Sequence, residues 1–170
     1  MNSCYERIKR ALGLFEEAKN SRSKVYVTEL TRRIASPKSH KMKEFRHQHY
    51  LWGDVWHILQ YDEYFTPFPL AAKILGVWVY GYADLVYFKN CTPIAVYEVK
   101  QYGKFSKYDK VQVKIYAYLT YIVFNVKPKA YLIQQRNNRF ILNNMVEVKW
   151  NTEEVEDIIH EGLRRIFGFM

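Results

Sequence analysis

The apolar positions fall into two spacings. Over residues 3–20, Tyr5, Ile8, Leu12 and Phe15 recur every three or four residues, the pattern of a helix with one buried face. The segment KVYVTELTRRI predicts a short extended piece, then a helix capped by Thr28. Residues 41–61 carry Phe45, Leu51, Val55 and Leu59 at helical spacing, and Pro67 and Pro69 break the chain behind them. Two dense apolar runs follow, at about 74–88 and 93–100, separated by KNCTP; they predict two strands joined by a turn. After the loop QYGKF, Ser106 with an acidic Asp109 three residues later predicts a capped helix at about 107–124. KAYLIQQ predicts a strand, RNNR a turn and MVEVKW the last strand. Asn151 with Glu154 marks the start of a final helix, 152–167. With no repeat, low-complexity tract or linker, residues 1–170 are expected to form a single domain of α/β or α+β class, with a mixed β-sheet flanked by helices.

One position breaks the pattern. In the run LGVWVYGYADLVYF, Asp84 is the only charged residue, and an unpartnered carboxylate is costly to bury. The next strand ends in Glu98-Val99-Lys100. If the turn is centred on Cys91, Phe88 faces Ile94, Val86 faces Val96, Asp84 faces Glu98 and Tyr82 faces Lys100. Directly opposed residues share a face, so Asp84, Glu98 and Lys100 converge. A one-residue slip would separate the carboxylates. Two carboxylates held together repel unless a proton or cation lies between them, and oxygen ligands on strands suit Mg²⁺ or Mn²⁺. Lys100 is then placed to hold or activate a water beside the metal. The alternative is a structural Asp84–Lys100 ion pair with Glu98 solvated.

The surrounding motifs are LWGDVWHIL with Gly53 and His57, GYADLV with Asp84, YEVKQ with Glu98 and Lys100, and VQVKIYAYL with Gln112 and Tyr116. Together and in this order they resemble the PD-(D/E)XK nuclease superfamily, and specifically its RecB-like exonuclease branch. The resemblance implies a restriction-endonuclease-like core and metal-dependent DNA hydrolysis, as an exonuclease acting from DNA ends. It implies that His57, Asp84, Glu98 and the Val99 backbone carbonyl bind the metal, and that Asp84, Glu98 and Lys100 are catalytic. Gln112 and Tyr116, one turn apart on a helix, would brace Lys100 or contact the DNA backbone. VYVTELTRRI is also similar to the opening of the CRISPR-associated members of this branch. Those members usually hold an iron–sulfur cluster on four cysteines. TRRIASP has no Cys and none follows Cys91, so no iron–sulfur cluster is expected. A junction-resolving endonuclease of the same superfamily ranks second, because such enzymes usually carry an early Glu in place of the Gly-x-x-x-His motif. A decayed nuclease fold retained as a DNA-binding module is a third reading. Apart from the resemblance, His57 reads as a helix histidine packed on Trp52 or Trp56, and Gln112 and Tyr116 as ordinary filling of an amphipathic helix.

Charge adds a partner. Lys and Arg number 26 against 17 Asp and Glu, a formal net charge of +9. Such a balance suits a polyanion, with DNA the leading candidate; single or double strands are not distinguished. Arg32, Arg33, Lys41 and Arg46 fall in one basic stretch, and Lys107, Lys110 and Lys114 in a stripe along the Gln112 helix; each set is expected to contact phosphates. Each also reads as a solvated face. No apolar leader opens the chain, and Ile115–Val126 is too short and polar to span a bilayer, so a cytoplasmic protein with no membrane partner is expected. Two cysteines, Cys4 and Cys91, suggest neither a disulfide framework nor a metal cluster. A homo-oligomer remains open.

Overall fold

The computed structural model describes residues 3–35, 54–101, 103–137 and 139–168. Along the chain these form α1 (Cys4–Asn20), β1 (Lys24–Tyr26), α2 (Val27–Ala35), a 3₁₀ helix (Val55–Leu59), β2 (Glu63–Ile74), β3 (Val77–Lys89), β4 (Thr92–Lys100), α3 (Lys107–Phe124), β5 (Lys129–Arg136), β6 (Arg139–Val148) and α4 (Thr152–Phe167). The class is α+β, a mixed six-stranded sheet flanked by helices.

β3 is the axis of the sheet. Antiparallel β2 runs along one edge of it. The other edge takes β1 in parallel at Trp78–Tyr80, then β4 antiparallel at Leu85–Lys89. β5 lies parallel to β4 and β6 antiparallel to β5. The parallel β4–β5 pair requires a crossover, and α3 provides it. Leu119, Ile115, Val113 and Ala117 of α3 are fully buried, and the helix packs on β2, β4 and β5 as well as on α2 and α4. A helix that is apolar almost all round belongs inside the core, where each buried Leu or Ile contributes about 1.5–3 kcal/mol.

Local signals account for the ends of these elements. Ser106 Oγ accepts from Asp109 N, and the Asp109 carboxylate accepts from Ser106 N, the reciprocal cap predicted for α3. Asn151 caps α4 by accepting from Glu154 N at 2.8 Å. α1 buries Ile8, Ala11, Phe15 and Ala18, while Tyr5 is exposed. The β2–β3 and β3–β4 hairpins close through Leu75-Gly76 and Asn90-Cys91, all four with positive φ, as two-residue hairpin loops of this hand require.

Several expectations need correction. Thr28 does not cap α2: the helix starts at Val27 directly from β1, and Thr28 lies buried within it. Pro67 and Pro69 do not end structure; they sit in β2, which pairs with β3 alone, and an edge strand tolerates residues without an N–H. β6 begins at Arg139, well before MVEVKW. Residues 55–59 form a 3₁₀ helix that buries Val55 and Ile58 and leaves Leu59 exposed, and it ends at Gln60; residues 41–53 of the predicted 41–61 helix, with Gly53, Lys41 and Arg46, lie outside the described residues. Cys4 and Cys91 are joined as a disulfide, with Cα atoms 5.8 Å apart, tying the first turn of α1 to the β3–β4 turn. Their separation of 87 residues hid the pairing. Among the described residues no helix is long and apolar enough to cross a membrane.

Candidate active site

The hairpin register is as expected from Leu85↔Tyr97 to Tyr87↔Ala95. Phe88, however, faces Pro93 instead of Ile94, because the shorter Asn90-Cys91 turn is followed by a bulge. The ladder also ends at Leu85↔Tyr97, so Asp84 and Glu98 are not a cross-strand pair, nor are Tyr82 and Lys100. The reason lies on the other edge of β3. Thr66 pairs with Val86 and Phe68 with Ala83, so Pro67 alone opposes both Asp84 and Leu85. Core-facing positions shift accordingly, from Val77, Val79 and Ala83 before this bulge to Val86 and Phe88 after it. A bulge leaves its extra residue out of the ladder and re-aims its side chain. Asp84 turns its carboxylate into the gap, where Oδ2 accepts from Val99 N at 2.9 Å.

Glu98 lies on the face of β4 that carries the core residue Val96, and is 7% exposed. Its Oε2 accepts from Gln112 Nε2 at 2.8 Å, a bond from a neutral amide on α3. Gln112 therefore braces Glu98, not Lys100. One turn on, Tyr116 is fully buried against Gly81, where a side chain would have its Cβ 2.5 Å from the Tyr116 hydroxyl. Burial first, then the Glu98 and Asp84 carboxylates, push the Tyr116 phenol well above its ordinary pKa. The two carboxylates thus act on the same phenol, although they are not opposed in the ladder.

Lys100 reaches in another direction. Its Nζ lies 2.7 Å from Asp109 Oδ2, the oxygen that also accepts from Ser106 N and Oγ. The expected alternative, an Asp84–Lys100 pair with Glu98 solvated, is therefore not formed; the acid that pairs with Lys100 was read from the sequence only as a helix cap. Sequence spacing gave no signal for this contact across the loop at 101–106.

Structure brings Asp84, Glu98, Val99, Lys100, Gln112 and Tyr116 together at the start of α3, and leaves His57 elsewhere. His57 Nδ1 is 3.2 Å from the Tyr64 hydroxyl, and Nε2 is 3.6 Å from Asp54. Tyr64 pairs with Phe88, about 13 Å along β3 from Asp84 at the usual rise per residue. Of the basic residues, Lys107 and Lys110 are exposed, but Lys114 is paired with Glu154 of α4 at 3.2 Å, so the three do not form one solvent-facing stripe. Arg32 and Arg33 close the last turn of α2, and the Arg33 carbonyl accepts from Arg165 Nη1.

The donor set fits a hard divalent cation. Among the described residues no three of His, Cys, Asp and Glu gather at one point, and the donors at this site are the Asp84 and Glu98 carboxylates and the Val99 carbonyl. In a strand the N–H and C=O of one residue point toward the same neighbour, so the Val99 carbonyl lies on the Asp84 side. Mg²⁺ typically takes one or two carboxylates and keeps several waters. Gln112 Oε1 and Tyr116 Oη, buried beside Glu98 without a hydrogen-bond partner among the described residues, are polar atoms that such waters would satisfy.

No protein-family model matches the chain, and no curated protein matches it. Among solved structures, one described as the crystal structure of SSO0001 aligns over 91% of this chain and 83% of its own, at 18% identity and a TM-score of 0.43. Function therefore has to be read from the side chains around Glu98.

Proposed function

We propose that the protein is a divalent-metal-dependent deoxyribonuclease of the RecB-like PD-(D/E)XK type, acting from DNA ends. The observation that carries this reading is the placement of two carboxylates side by side: Asp84 accepts from Val99 N, the residue next to Glu98, while Lys100 is bonded to a third acid. Val99 N–H and the Gln112 amide fix the two carboxylates in place. That arrangement suits a cation.

Asp84, Glu98 and the Val99 carbonyl would hold Mg²⁺ or Mn²⁺. Bound there, the ion would polarise the scissile phosphate and lower the pKa of a coordinated water. Gln112 fixes the Glu98 side chain, so the carboxylate is ordered before the metal arrives. Asp109 holds Lys100 at the rim, from which its ammonium reaches the phosphate or the attacking water and offsets the developing charge. His57 takes no part in this arrangement. Lys107, Lys110, Arg32 and Arg33 supply contacts to DNA phosphates.

The test compares wild type with Asp84→Asn, whose side-chain carbonyl can still accept from Val99 N. Wild type should cleave linear DNA in Mg²⁺ or Mn²⁺, spare closed circles and be silent in EDTA. Mn²⁺ should stabilise it by about 2.7 kcal/mol at a hundred times the dissociation constant. Asp84→Asn should bind DNA, lose cleavage and the metal response, and melt without metal at or above the wild-type temperature, because one of two repelling charges is gone. Full wild-type activity in EDTA would sink the reading. Efficient nicking of closed single-stranded circles would favour a junction-resolving or other endonuclease instead.

A further inference from the structure

A cavity of about 520 Å³ lies beside Lys100, lined by Gly103, Lys104 and Phe105 of the loop before α3 and by Gln134, Arg136, Asn143 and Asn144 of β5 and β6 among others. Its position follows from the sheet. Gln134 is the register partner of Lys100 across the parallel β4–β5 pair, so the two share a face, and Gly103 approaches the Lys100 side chain. The floor of the cavity is thus the continuation of the row Glu98–Lys100. β6 shapes the far wall. Gln134 pairs with Ile141 and Leu132 with Val146, so four residues, Leu142–Met145, oppose Ile133 alone. This wide bulge brings Asn143 and Asn144 over the cavity.

The lining is chemically specific. Gln134 is 7% exposed, and its Oε1 accepts from Asn144 Nδ2 at 2.7 Å. That bond aligns two amides and leaves a donor, Gln134 Nε2, beside an acceptor, Asn144 Oδ1. A paired donor and acceptor is what the hydrogen-bonding edge of a nucleobase meets. Phe105 offers a ring for stacking, and the exposed Lys104 and Arg136 offer charge for flanking phosphates. The volume lies in the usual range for a small-ligand site, and one nucleotide is a ligand of that class.

We propose that this cavity holds one unpaired nucleobase of the substrate strand, next to the phosphate presented to Asp84 and Glu98. The proposal rests on the nuclease reading for its substrate, and it commits that substrate to single-stranded DNA or a frayed end. A base within a duplex would have to be flipped out of the stack first.

The test is binding in EDTA, where no cleavage intervenes, by fluorescence anisotropy on a single strand and on a hairpin duplex of the same sequence. Asn144 and Arg136 are exposed, so replacing them leaves the core alone. Asn144→Ala should weaken single-strand binding about tenfold, the size of one good base contact, and leave duplex binding within about twofold. Arg136→Ala should weaken single-strand binding and lower its salt dependence. A strand carrying 2-aminopurine should lose emission on binding wild type and keep it with Phe105→Leu, once circular dichroism shows that variant folded. Equal losses on both DNAs, or no loss with Asn144→Ala, would overturn the proposal. The nuclease reading fails separately: if wild type never cleaves with metal yet the strand-selective loss persists, the cavity stands as a single-strand site without catalysis. If cleavage is intact and the selective loss is absent, only the cavity proposal falls.

Discussion

Gly81 shows how closely the residues behind the site are fitted. It is a strand residue, and strands lose stability at glycine, yet a Cβ here would meet the Tyr116 hydroxyl at 2.5 Å. The phenol belongs to a fully buried side chain, so it cannot swing out to solvent without unpacking. Gly81→Ala should therefore cost about 1–3 kcal/mol of overpacking, while Gly81→Ala with Tyr116→Phe should recover most of that loss, because the nearest contact is removed. Denaturant midpoints of wild type, both single variants and the double variant measure the coupling; strict additivity would show that the two groups do not meet. At this scale the sequence was partly legible. Asp84 stood out as a charge in an apolar run, and Gln112 and Tyr116 stood out at one-turn spacing. That Gln112 serves Glu98 and that Lys100 turns to Asp109 depends on how α3 docks on β4, which no local pattern encodes.

Among the elements, α3 decides most. Its first turn holds Lys100 through the capping acid, its next turns hold Glu98 and back Gly81, and its outer side meets α4 through Lys114 and Glu154. Two kinds of lysine on one helix should behave differently. Replacing Lys107 and Lys110 together by Ala should weaken DNA binding and flatten the slope of log affinity against log salt by about 1–2. Lys114→Ala should leave that slope near wild type, and its partly exposed ion pair should contribute at most about 1 kcal/mol of stability. Anisotropy titrations at several salt concentrations separate the two; a slope that changes most with Lys114→Ala would contradict the geometry. The α3 helix and its cap were readable because Ser106 and Asp109 are a local signal. β2 was not, because two prolines suppress the strand pattern and only the sheet order reveals an edge. The bulge at Asp84 was hidden for a related reason: it arises from the register with β2, a strand the pattern did not predict.

For the molecule as a whole, the tyrosines set a limit. Burial pushes Tyr80 and Tyr118 up to about 12, with neighbouring tyrosines adding to Tyr80 and Glu156 to Tyr118, and Tyr116 is pushed well above its ordinary value for the reasons given above. Below about pH 10 such groups are neutral in both folded and unfolded chains. Above it the unfolded chain ionises and the folded one does not, so stability is complete below pH 10 and falls as the pH rises. The fully buried Tyr116 contributes to that fall. Denaturant midpoints at pH 9 and pH 11 should differ, and Tyr116→Phe should reduce the difference. A midpoint independent of pH over that interval would mean that the phenol ionises freely in the folded protein.

The Cys4–Cys91 bond makes residues 4–91 a closed covalent ring, with β4 and everything after it as a tail. A ring survives one cut. The basic stretch from Arg32 to Arg46 lies inside it and offers several tryptic sites. If trypsin cleaves once there, the product should migrate as a single species on a non-reducing gel and separate into two pieces only when reductant is added. Pieces that separate without reductant would show that the ring is open in solution. A closed ring also means that a nick in this stretch leaves Asp84 and Glu98 covalently joined to the helix that precedes it, so a nicked protein can keep its carboxylate site while an equally nicked, reduced one can lose α1 altogether.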